Sequence, residues 1–355
     1  MVLSNFYVGW KEEFDRYPGM KLEYVPLDVA WKAAFFVGMK EHYPHFFAKS
    51  GYFALFLYDL DRYWVYDIFQ VQLVENALNG ANVRRYFIEP KSVDEAINFI
   101  YQMINSGNLV WATYFEPILI YGIEGELGSE RLHWYSPRIN PGGEIWGRDE
   151  IEKWWNAREQ LGGSHTLIAP AKVVPGVNTE EGVATELARL AVESWASEYL
   201  AVGGTKIPIG AAAYDRYIAD LKNPEVDFTK EFGEEKIMFR LAWLAVAIYA
   251  QWTQYFAAHT YFAHIADLFP KEQAKLLRKT AECYSDAYGF WLEWEKYVGR
   301  VDDEDEFIKR AQDMQRRQKG AQMVERAKES VAEAIGYLRE FLSLRGNDRV
   351  SKGNG

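Results

Sequence analysis

A change in hydrophobic patterning near Pro175-Gly176 constrains the fold of this chain more than any other feature. Before this point, short apolar segments at the spacing of hairpins accompany short helical segments. After it, apolar residues recur at the three- and four-residue spacing of helices, and strand-like runs are almost absent. Because 355 residues are enough for two hydrophobic cores, we predict two domains. Residues 1–176 form a domain of helices and strands, residues 177–345 an all-helical domain, and residues 346–355 a loose tail.

The front half predicts an α+β fold with a mostly antiparallel sheet. Ser92, three residues before Glu95, forms a capping box that starts a helix ending near Asn105. Strand-like segments follow at hairpin spacing, which places consecutive strands side by side in opposite directions. The segment Asn140-Pro141-Gly142-Gly143 predicts a turn. A helix is predicted from Arg148 to Arg158, and strands are predicted over Gly51 to Trp64, Arg84 to Ile88, Leu109 to Tyr114, Ile118 to Ile123, Arg131 to Ser136 and Thr166 to Val174.

The back half predicts a series of longer helices. Asn178 with Glu181 matches a capping pattern at the start of this half. The last predicted helix has one apolar face. The helix predicted over Glu234 to Leu268 carries a broad aromatic stripe, which is typical of a domain core but also suits an interface. The aromatic residues of this helix are Trp243, Tyr249, Trp252, Tyr255, Phe256, Tyr261 and Phe262. The predicted helices are Glu186 to Leu200, Ala211 to Leu221, Glu234 to Leu268, Lys271 to Val298 and Glu304 to Leu344.

Charge and composition argue against several classes of function. A net charge of −11 disfavours binding to nucleic acid or to an anionic membrane, because both need a basic surface. The single Cys283 cannot form an intramolecular disulfide, and no pattern predicts a metal or another cofactor. The most apolar stretch, Leu241 to Ala250, is about half the length of a membrane helix. The first residues lack the pattern of a secretory signal, so we expect a cytoplasmic protein.

The order of segments in the front half resembles that of a known family. A Pro26-Leu27-Asp28 turn opens a helix, the segment Asn105 to Val110 and the strand Ile118 to Gly122 follow, and a later strand runs into Ser136-Pro137. This order is similar to the C39-like branch of papain-fold cysteine peptidases. It is more similar to the group related to the N-terminal domain of butirosin biosynthesis protein H. The segment Lys49 to Phe56 and the helical back half also resemble regions of that group.

The resemblance implies a papain-like fold whose catalytic residues are missing here. Its catalytic members place a cysteine at the start of the first helix, where the helix dipole and a histidine favour the thiolate. The matching segment, Asp28 to Trp31, contains no Cys, Ser or Thr. The histidine position corresponds to Glu116-Pro117, and the acid position to Ser136. The resemblance therefore implies a pseudoenzyme.

Several polar and aromatic residues remain candidates for a site in the implied cleft. Glu116 and Asp28 would face each other there as two carboxylates, suited to acid–base chemistry or to binding a cationic or hydroxyl-rich ligand. His133 could act as a base from the neighbouring strand. Equally, Asp28 could cap a helix, Glu116 could be a solvated loop residue, and His133 could be packed. The candidate ligand-binding residues are Glu116, Asp28, Tyr114, Trp31 and Tyr135.

Three functional hypotheses follow from these observations. The first is a non-catalytic protein that binds a small organic ligand in a cleft between the two halves. The second is an enzyme in which Glu116, with Asp28 or His133, acts on an ester, an amide or a sugar. The third is an interaction or structural protein, in which the aromatic stripe or the C-terminal helices form a homodimer.

Overall fold

The chain divides into two compact units. The first unit comprises Met1–Phe46 and Trp64–Asn178, and the second comprises Phe47–Tyr63 and Thr179–Gly355. The sequence-based boundary assigns residues 47–63 to the front half, whereas the structure places them in the second unit. The structure is a computed structural model that describes residues 2–3, 45, 48–60, 76–113, 117–126, 128–136, 140–160, 165–173, 178–202, 205–231, 238–298 and 304–352.

The first unit is built on an antiparallel sheet. Its strands are β1 (Val2–Leu3), β2 (Val83–Ile88), β3 (Val110–Thr113), β4 (Pro117–Glu124), β5 (Arg131–Ser136), β6 (Asn140–Trp146) and β7 (Leu167–Val173). The strand order in the sheet is β2-β7-β3-β4-β5-β6, and β1 also pairs with β4. Each pairing between the described strands is antiparallel. The predicted α+β class and the mostly antiparallel sheet are therefore confirmed for this part of the chain.

Strand β6 corrects the turn predicted at Asn140-Pro141-Gly142-Gly143. These residues belong to the strand, which pairs with β5 from Asn140, opposite Ser136, to Trp146. Proline has no N–H to donate, but an edge strand tolerates it. Strand β6 ends the order of the described strands, and its pairing with β5 has a register shift near Pro141. A strand therefore forms where the turn was predicted, although Pro141, Gly142 and Gly143 lie at the register shift and have no register partner on β5.

Two helices, α1 (Val93–Asn105) and α2 (Arg148–Gln160), share one hydrophobic core with the sheet. The predicted start of α1 is confirmed: Ser92 Oγ accepts a hydrogen bond from Glu95 N at 3.2 Å. The Glu95 carboxylate reaches back to Lys91 N at 2.8 Å, one residue before the expected donor. The core side chains of the central strands alternate, as expected for one face of a sheet. They include Val110, Ala112, Ile118, Ile120, Leu132 and Trp134, all nearly inaccessible to solvent.

Arg148 joins the start of α2 to the start of α1 and to the loop before β5. Its Nη1 lies 2.8 Å from Asp94 Oδ1 and 2.7 Å from Glu130 Oε1. Its Nε donates to Glu152 Oε1 at 2.6 Å. Glu130 is buried, so the guanidinium supplies the compensation that a buried carboxylate needs. Hydrogen bonds to Glu152, Glu130 and Asp94 raise the pKa of Arg148.

The second unit is mainly helical but also contains a β-hairpin. Strand β8 (Tyr199–Val202) pairs with β9 (Thr205–Pro208), which corrects the all-helical prediction. In β9, Ile207 is buried between two more accessible residues, which is the alternation expected of a strand. A segment of four residues is too short for this alternation to be recognised in the sequence. No helix among the described residues is both long enough and apolar enough to span a bilayer. The helices are α3 (Glu180–Ala196), α4 (Gly210–Lys222), α5 (Phe239–Ile265), α6 (Lys271–Val298), α7 (Glu304–Gln312) and α8 (Met314–Lys352).

Two helix boundaries differ from the predictions for local reasons. Thr179, rather than Asn178, caps α3, since its Oγ1 accepts from Gly182 N at 3.1 Å. The single helix predicted over Glu304 to Leu344 is interrupted at Asp313. The Asp313 carboxylate accepts from the backbone N–H groups of Gln315 and Arg316, and so caps α8.

The segment predicted as strands over Gly51 to Trp64 has a different conformation where it is described. Tyr52–Ala54 forms a 3₁₀ turn, and Leu57 makes an isolated bridge with Ile209. Phe53 packs edge-on against Phe262 and Tyr284, with ring centroids 5.5 and 5.3 Å apart. The aromatic residues of this segment therefore serve the core of the second unit.

The aromatic stripe predicted on the long helix lies in that same core over the residues whose side chains are described. Tyr255 and Phe262 of α5 stack on Tyr284 of α6 at centroid distances of 5.5 and 6.0 Å. Tyr214 and Tyr217 of α4 approach Trp291 at 6.2 and 5.8 Å. All six side chains are buried. The core interpretation of the stripe is therefore correct for Tyr255 and Phe262.

Candidate functional site

The cleft predicted from the sequence lies mostly outside the described residues. This applies to Asp28, Trp31, Tyr114 and Glu116. Tyr135 lies on β5, but its side chain is not among those described. A site formed by these residues therefore stays a prediction.

His133 lies on β5 and is buried, with an exposed fraction of 7%. Its Nε2 lies 3.6 Å from Oε1 of Glu124 on the neighbouring strand β4. Arg131 Nη1 lies 3.3 Å from the same carboxylate oxygen. Within the described residues, His133 Nε2 makes no hydrogen bond. The structure thus places His133 beside Glu124, a neighbour that the sequence analysis had not considered.

A pocket of about 480 Å³ opens on the second unit. Three separate segments supply its walls: the loop that follows the 3₁₀ turn, the β8–β9 hairpin and helix α4. The sequence analysis did not predict it. The lining residues are Tyr58, Asp59, Tyr199, Lys206, Pro208, Ala212 and Arg216.

The hairpin forms the first wall. Lys206 and Pro208 are two residues apart on β9, so their side chains share a face, while Ile207 between them is buried. Tyr199 of β8 is the register partner of Pro208, which brings its ring to the same wall. Tyr199 is 53% exposed. The hairpin thus presents one cation and one accessible aromatic ring.

Helix α4 forms the second wall. Ala212 and Arg216 are one turn apart and therefore lie on one face of the helix. Asp220, a further turn along, is buried and accepts from Arg216 Nε at 3.0 Å. The Arg216 side chain is 55% exposed, and that of Asp220 is 5% exposed. A buried carboxylate therefore holds a partly exposed guanidinium at the pocket.

The third wall is fixed by backbone hydrogen bonds. Tyr58 N donates to Pro208 O at 3.3 Å, and Gly210 N donates to Phe56 O at 2.9 Å. Gly210 has φ of +54°, and a Cβ there would lie 2.6 Å from Ser194 O, so glycine is required at this crossing. These bonds tie the segment that carries Tyr58 and Asp59 to the start of α4.

Burial raises the pKa of Tyr58 well above its ordinary value, and the negative charge of Asp220 raises it further. The Tyr58 ring is fully buried and packs edge-on against Tyr217 at 4.8 Å. The phenol therefore stays protonated and does not add a negative charge to the pocket.

The pocket contains cationic groups that no described residue neutralises completely. The side chain of Lys206 makes no hydrogen bond or ion pair within the described part of the chain. Arg216 uses Nε to bond to Asp220, and its two terminal nitrogens make no hydrogen bond to a described residue. Lysine and arginine carry only donors, so both can bind an oxygen-rich group of a ligand.

The sequence signal for this pocket was weak because its parts are far apart. Lys206 and Pro208 lie on a short strand and Ala212 and Arg216 on a helix, so no local spacing in the sequence relates them to Tyr58 and Asp59. More than a hundred residues separate Asp59 from Tyr199. Residues 47–63 had also been assigned to the other half. Within the described ranges, no group of three His, Cys, Asp or Glu residues is arranged to hold a metal ion.

Comparison with models of protein families found no match for this chain, and neither did comparison with curated proteins. The resemblance to the C39-like group therefore remains a prediction from segment order. The pocket on the second unit supplies the structural basis for a functional proposal.

Proposed function

We propose that this protein binds a small organic molecule in the pocket on its second unit and does not act as a papain-type enzyme. The observation that carries the proposal is the arrangement of Lys206 and Arg216 around a pocket whose walls are held by backbone hydrogen bonds. Fixed walls reduce the entropy that ordering the site would otherwise cost on binding.

The size and lining of the pocket support a small molecule as the ligand. Its volume, about 480 Å³, lies within the usual range for small-molecule sites. Tyr199, Pro208 and Ala212 supply apolar surface, and the charged residues supply directional contacts. The lining thus combines apolar contacts with the charged groups of Asp59, Lys206 and Arg216, which can orient a ligand.

The lining residues favour binding over catalysis. They include no histidine, cysteine or serine that would form a nucleophile–base pair. Tyr58 is buried in its protonated form, so it is a poor base. The proposal keeps the papain-like identity of the first unit, supported by its segment order, together with the loss of the catalytic positions at Asp28, Glu116 and Ser136. A cytoplasmic location also remains part of the proposal.

The other two hypotheses stay predictions. An enzyme that uses Glu116 with Asp28 or His133 would depend on two carboxylates outside the described residues. A homodimer through the C-terminal helices would require a large apolar surface on those helices. No contact among the described residues favours either hypothesis over binding.

The proposal is tested by filling the pocket from helix α4. We expect a molecule to be extracted from the denatured wild-type protein and identified by mass spectrometry. Ala212→Trp should abolish its retention, because the indole would occupy the pocket. Ala219→Trp is the matched control, since Ala219 is exposed on the same helix and outside the lining.

Circular dichroism would verify that both variants fold. Equal retention of the molecule by the two variants would contradict binding in this pocket. If the wild type yields no molecule and shows no saturable binding in a fragment screen, the binding function itself is contradicted.

A further inference from the structure

We propose that the pocket recognises a monocarboxylate, with Arg216 and Lys206 binding the carboxylate and Tyr199 contacting an apolar or aromatic body. The inference rests on the proposed function, because it names the chemical class of the ligand in the same pocket.

Arg216 is positioned as an anion-binding group. Its Nε is bonded to Asp220, which is buried and one helical turn away. A guanidinium held through Nε keeps its two terminal nitrogens for another partner, and their planar geometry matches a carboxylate. Since the Arg216 side chain is 55% exposed, those nitrogens remain accessible at the pocket.

Lys206 adds a second positive charge from the hairpin wall. Its position on β9 is fixed by pairing with Ala201 of β8. Its ammonium group has no carboxylate partner among the described residues. An incoming anion would therefore gain a charge-assisted hydrogen bond without breaking an ion pair of Lys206.

The start of α4 adds a weaker attraction for the same charge. Ile209 occupies the N-cap position and supplies no side-chain oxygen to the first N–H groups of the helix. Ala212, at the third helical position, lines the pocket. The positive end of the helix dipole therefore lies beside the site and favours an anion there.

The balance of charges disfavours a ligand with two negative charges. Lys206 and Arg216 are the lining cations, and Asp59 is the lining anion. Asp220 lies directly behind Arg216 and offsets part of its charge. A dianion such as a phosphate monoester would meet repulsion from Asp59 and Asp220 with too few cations to compensate. A monocarboxylate fits this balance better.

The apolar residues of the lining account for the apolar or aromatic body proposed for the ligand. Tyr199 and Pro208 are register partners at the end of the hairpin. The Tyr199 ring is exposed although it is large and apolar. A flat aromatic group stacked on it would bury this surface and gain the stabilisation typical of aromatic contacts.

Three simple probes separate the possibilities: benzoate, its neutral analogue benzamide, and phenyl phosphate. We expect benzoate to bind the full-length protein saturably at pH 7 in titration calorimetry or ligand-observed NMR. Benzamide and phenyl phosphate should bind about tenfold more weakly or not at all. Arg216→Gln and Lys206→Gln should each weaken benzoate binding by about tenfold.

Lys275→Gln is the control variant. Lys275 is exposed on α6, so this substitution removes one positive charge, as Lys206→Gln does, but at a position outside the pocket. It should leave benzoate affinity unchanged. Equal affinity for benzoate and benzamide would overturn the inference, as would unchanged benzoate affinity in the Arg216 and Lys206 variants. Tighter binding of phenyl phosphate, or no benzoate binding at millimolar concentration, would also overturn it.

The extraction experiment with Ala212→Trp tests the proposed function separately from the monocarboxylate inference. A neutral molecule extracted from the wild type and lost in Ala212→Trp would overturn the monocarboxylate inference and leave the binding function intact. A molecule retained by Ala212→Trp would instead overturn the assignment of this pocket.

Discussion

At the scale of single residues, Arg317 of α8 closes the C-terminal end of helix α4. Its Nε donates to Leu221 O, and its Nη2 donates to Asp220 O and Asn223 O, at 2.6 to 3.1 Å. Its Nη1 donates to Val226 O at 3.0 Å. The last carbonyls of a helix have no partner within the helix, so this buried side chain satisfies groups that would otherwise be costly to bury.

Arg317→Lys should destabilise the second unit despite preserving the charge. Burial lowers the pKa of Arg317, whereas nearby Asp220 raises it, and an arginine remains charged in either case. A lysine cannot reproduce a planar fork that bonds several carbonyls at once. We expect a loss of about 3 kcal/mol in the free energy of unfolding, measured by urea denaturation followed by circular dichroism.

Arg326→Lys on the same helix is the matched control. Arg326 is exposed and lies over the Phe290 ring at 4.1 Å, a contact that lysine can also make. Arg326→Lys should change the free energy of unfolding by less than about 1 kcal/mol. Similar losses in the two variants would refute the capping role of Arg317.

The role of Arg317 was not predictable from its neighbours in the chain. Arg316, Arg317 and Lys319 form a local basic cluster that is typical of a solvated helix face. In the structure Arg317 is only 3% exposed. Its acceptors lie more than ninety residues away, where a local pattern carries no information about them. By contrast, the Ser92 cap was predictable because its partner Glu95 lies three residues along the chain.

At the scale of secondary-structure elements, a glycine sets the close approach of α8 to α6. A Cβ at Gly320 would lie 2.5 Å from three ring atoms of Trp294. Trp294 is fully buried, and its Nε1 donates to Tyr217 OH on α4 at 3.2 Å. The contact therefore couples three helices through one side chain.

Gly320→Ala should destabilise the second unit, although alanine normally favours a helix over glycine. The added methyl group would force Trp294 to move and disturb its bond to Tyr217. Overpacking of this kind costs about 1–3 kcal/mol, which outweighs a gain in helix propensity of about 1 kcal/mol. Thermal unfolding followed by circular dichroism would measure the difference.

Gly336→Ala, on the same helix, should change stability in the opposite direction to Gly320→Ala. Gly336 is exposed, and no atom lies within 4 Å of its ideal Cβ position. The substitution should therefore stabilise the protein by about 0.5–1 kcal/mol. If both alanine substitutions shift stability in the same direction, the packing argument for Gly320 is wrong.

Elements whose apolar positions repeat locally were predictable, and strands without such a repeat were not. The bounds of β5, Arg131–Ser136, and α6, Lys271–Val298, coincide with the predictions. Both elements have apolar positions that repeat over their full length. The β8–β9 hairpin and β6 were missed because their formation depends on pairing partners rather than on local propensity. The break at Asp313 was missed because the apolar face continues across it.

At the scale of the whole molecule, the pocket depends on which unit residues 47–63 join. The sequence placed this segment with the strands of the front half because it is rich in aromatic residues. In the structure the same aromatic side chains pack among α4, α5 and α6, which carries Tyr58 and Asp59 to the pocket. Which core residues 47–63 join depends on tertiary packing against helices far along the chain. No local sequence pattern therefore revealed the candidate site.

That core also makes stability sensitive to alkaline pH. Burial is the main cause that raises the pKa of five tyrosines, namely Tyr58, Tyr214, Tyr217, Tyr255 and Tyr284. In the unfolded chain a tyrosine loses its proton near pH 10, whereas in the folded protein these remain protonated to higher pH. Their contribution to stability is complete below about pH 10 and is lost progressively as the pH rises above that value.

Tyr284→Phe tests this dependence with little change in packing. Burial raises the pKa of Tyr284, and its hydroxyl makes no hydrogen bond within the described residues. Phenylalanine should therefore keep the stacking on Tyr255 and leave stability at pH 7 equal or slightly higher. Above about pH 10, the free energy of unfolding should fall less steeply in the variant, by about 1.4 kcal/mol per pH unit.

Urea denaturation at successive pH values between about 9 and 11.5 would measure this slope, since that window spans the tyrosine pKa of the unfolded chain. Tyr199→Phe is the control, because it removes the same hydroxyl group from an exposed tyrosine of the same unit and not from the aromatic core. Identical slopes in the wild type and Tyr284→Phe would show that Tyr284 ionises as readily in the folded protein as in the unfolded chain. The aromatic core would then admit water at Tyr284, and the close packing that joins α5 to α6 would not be the source of alkaline sensitivity.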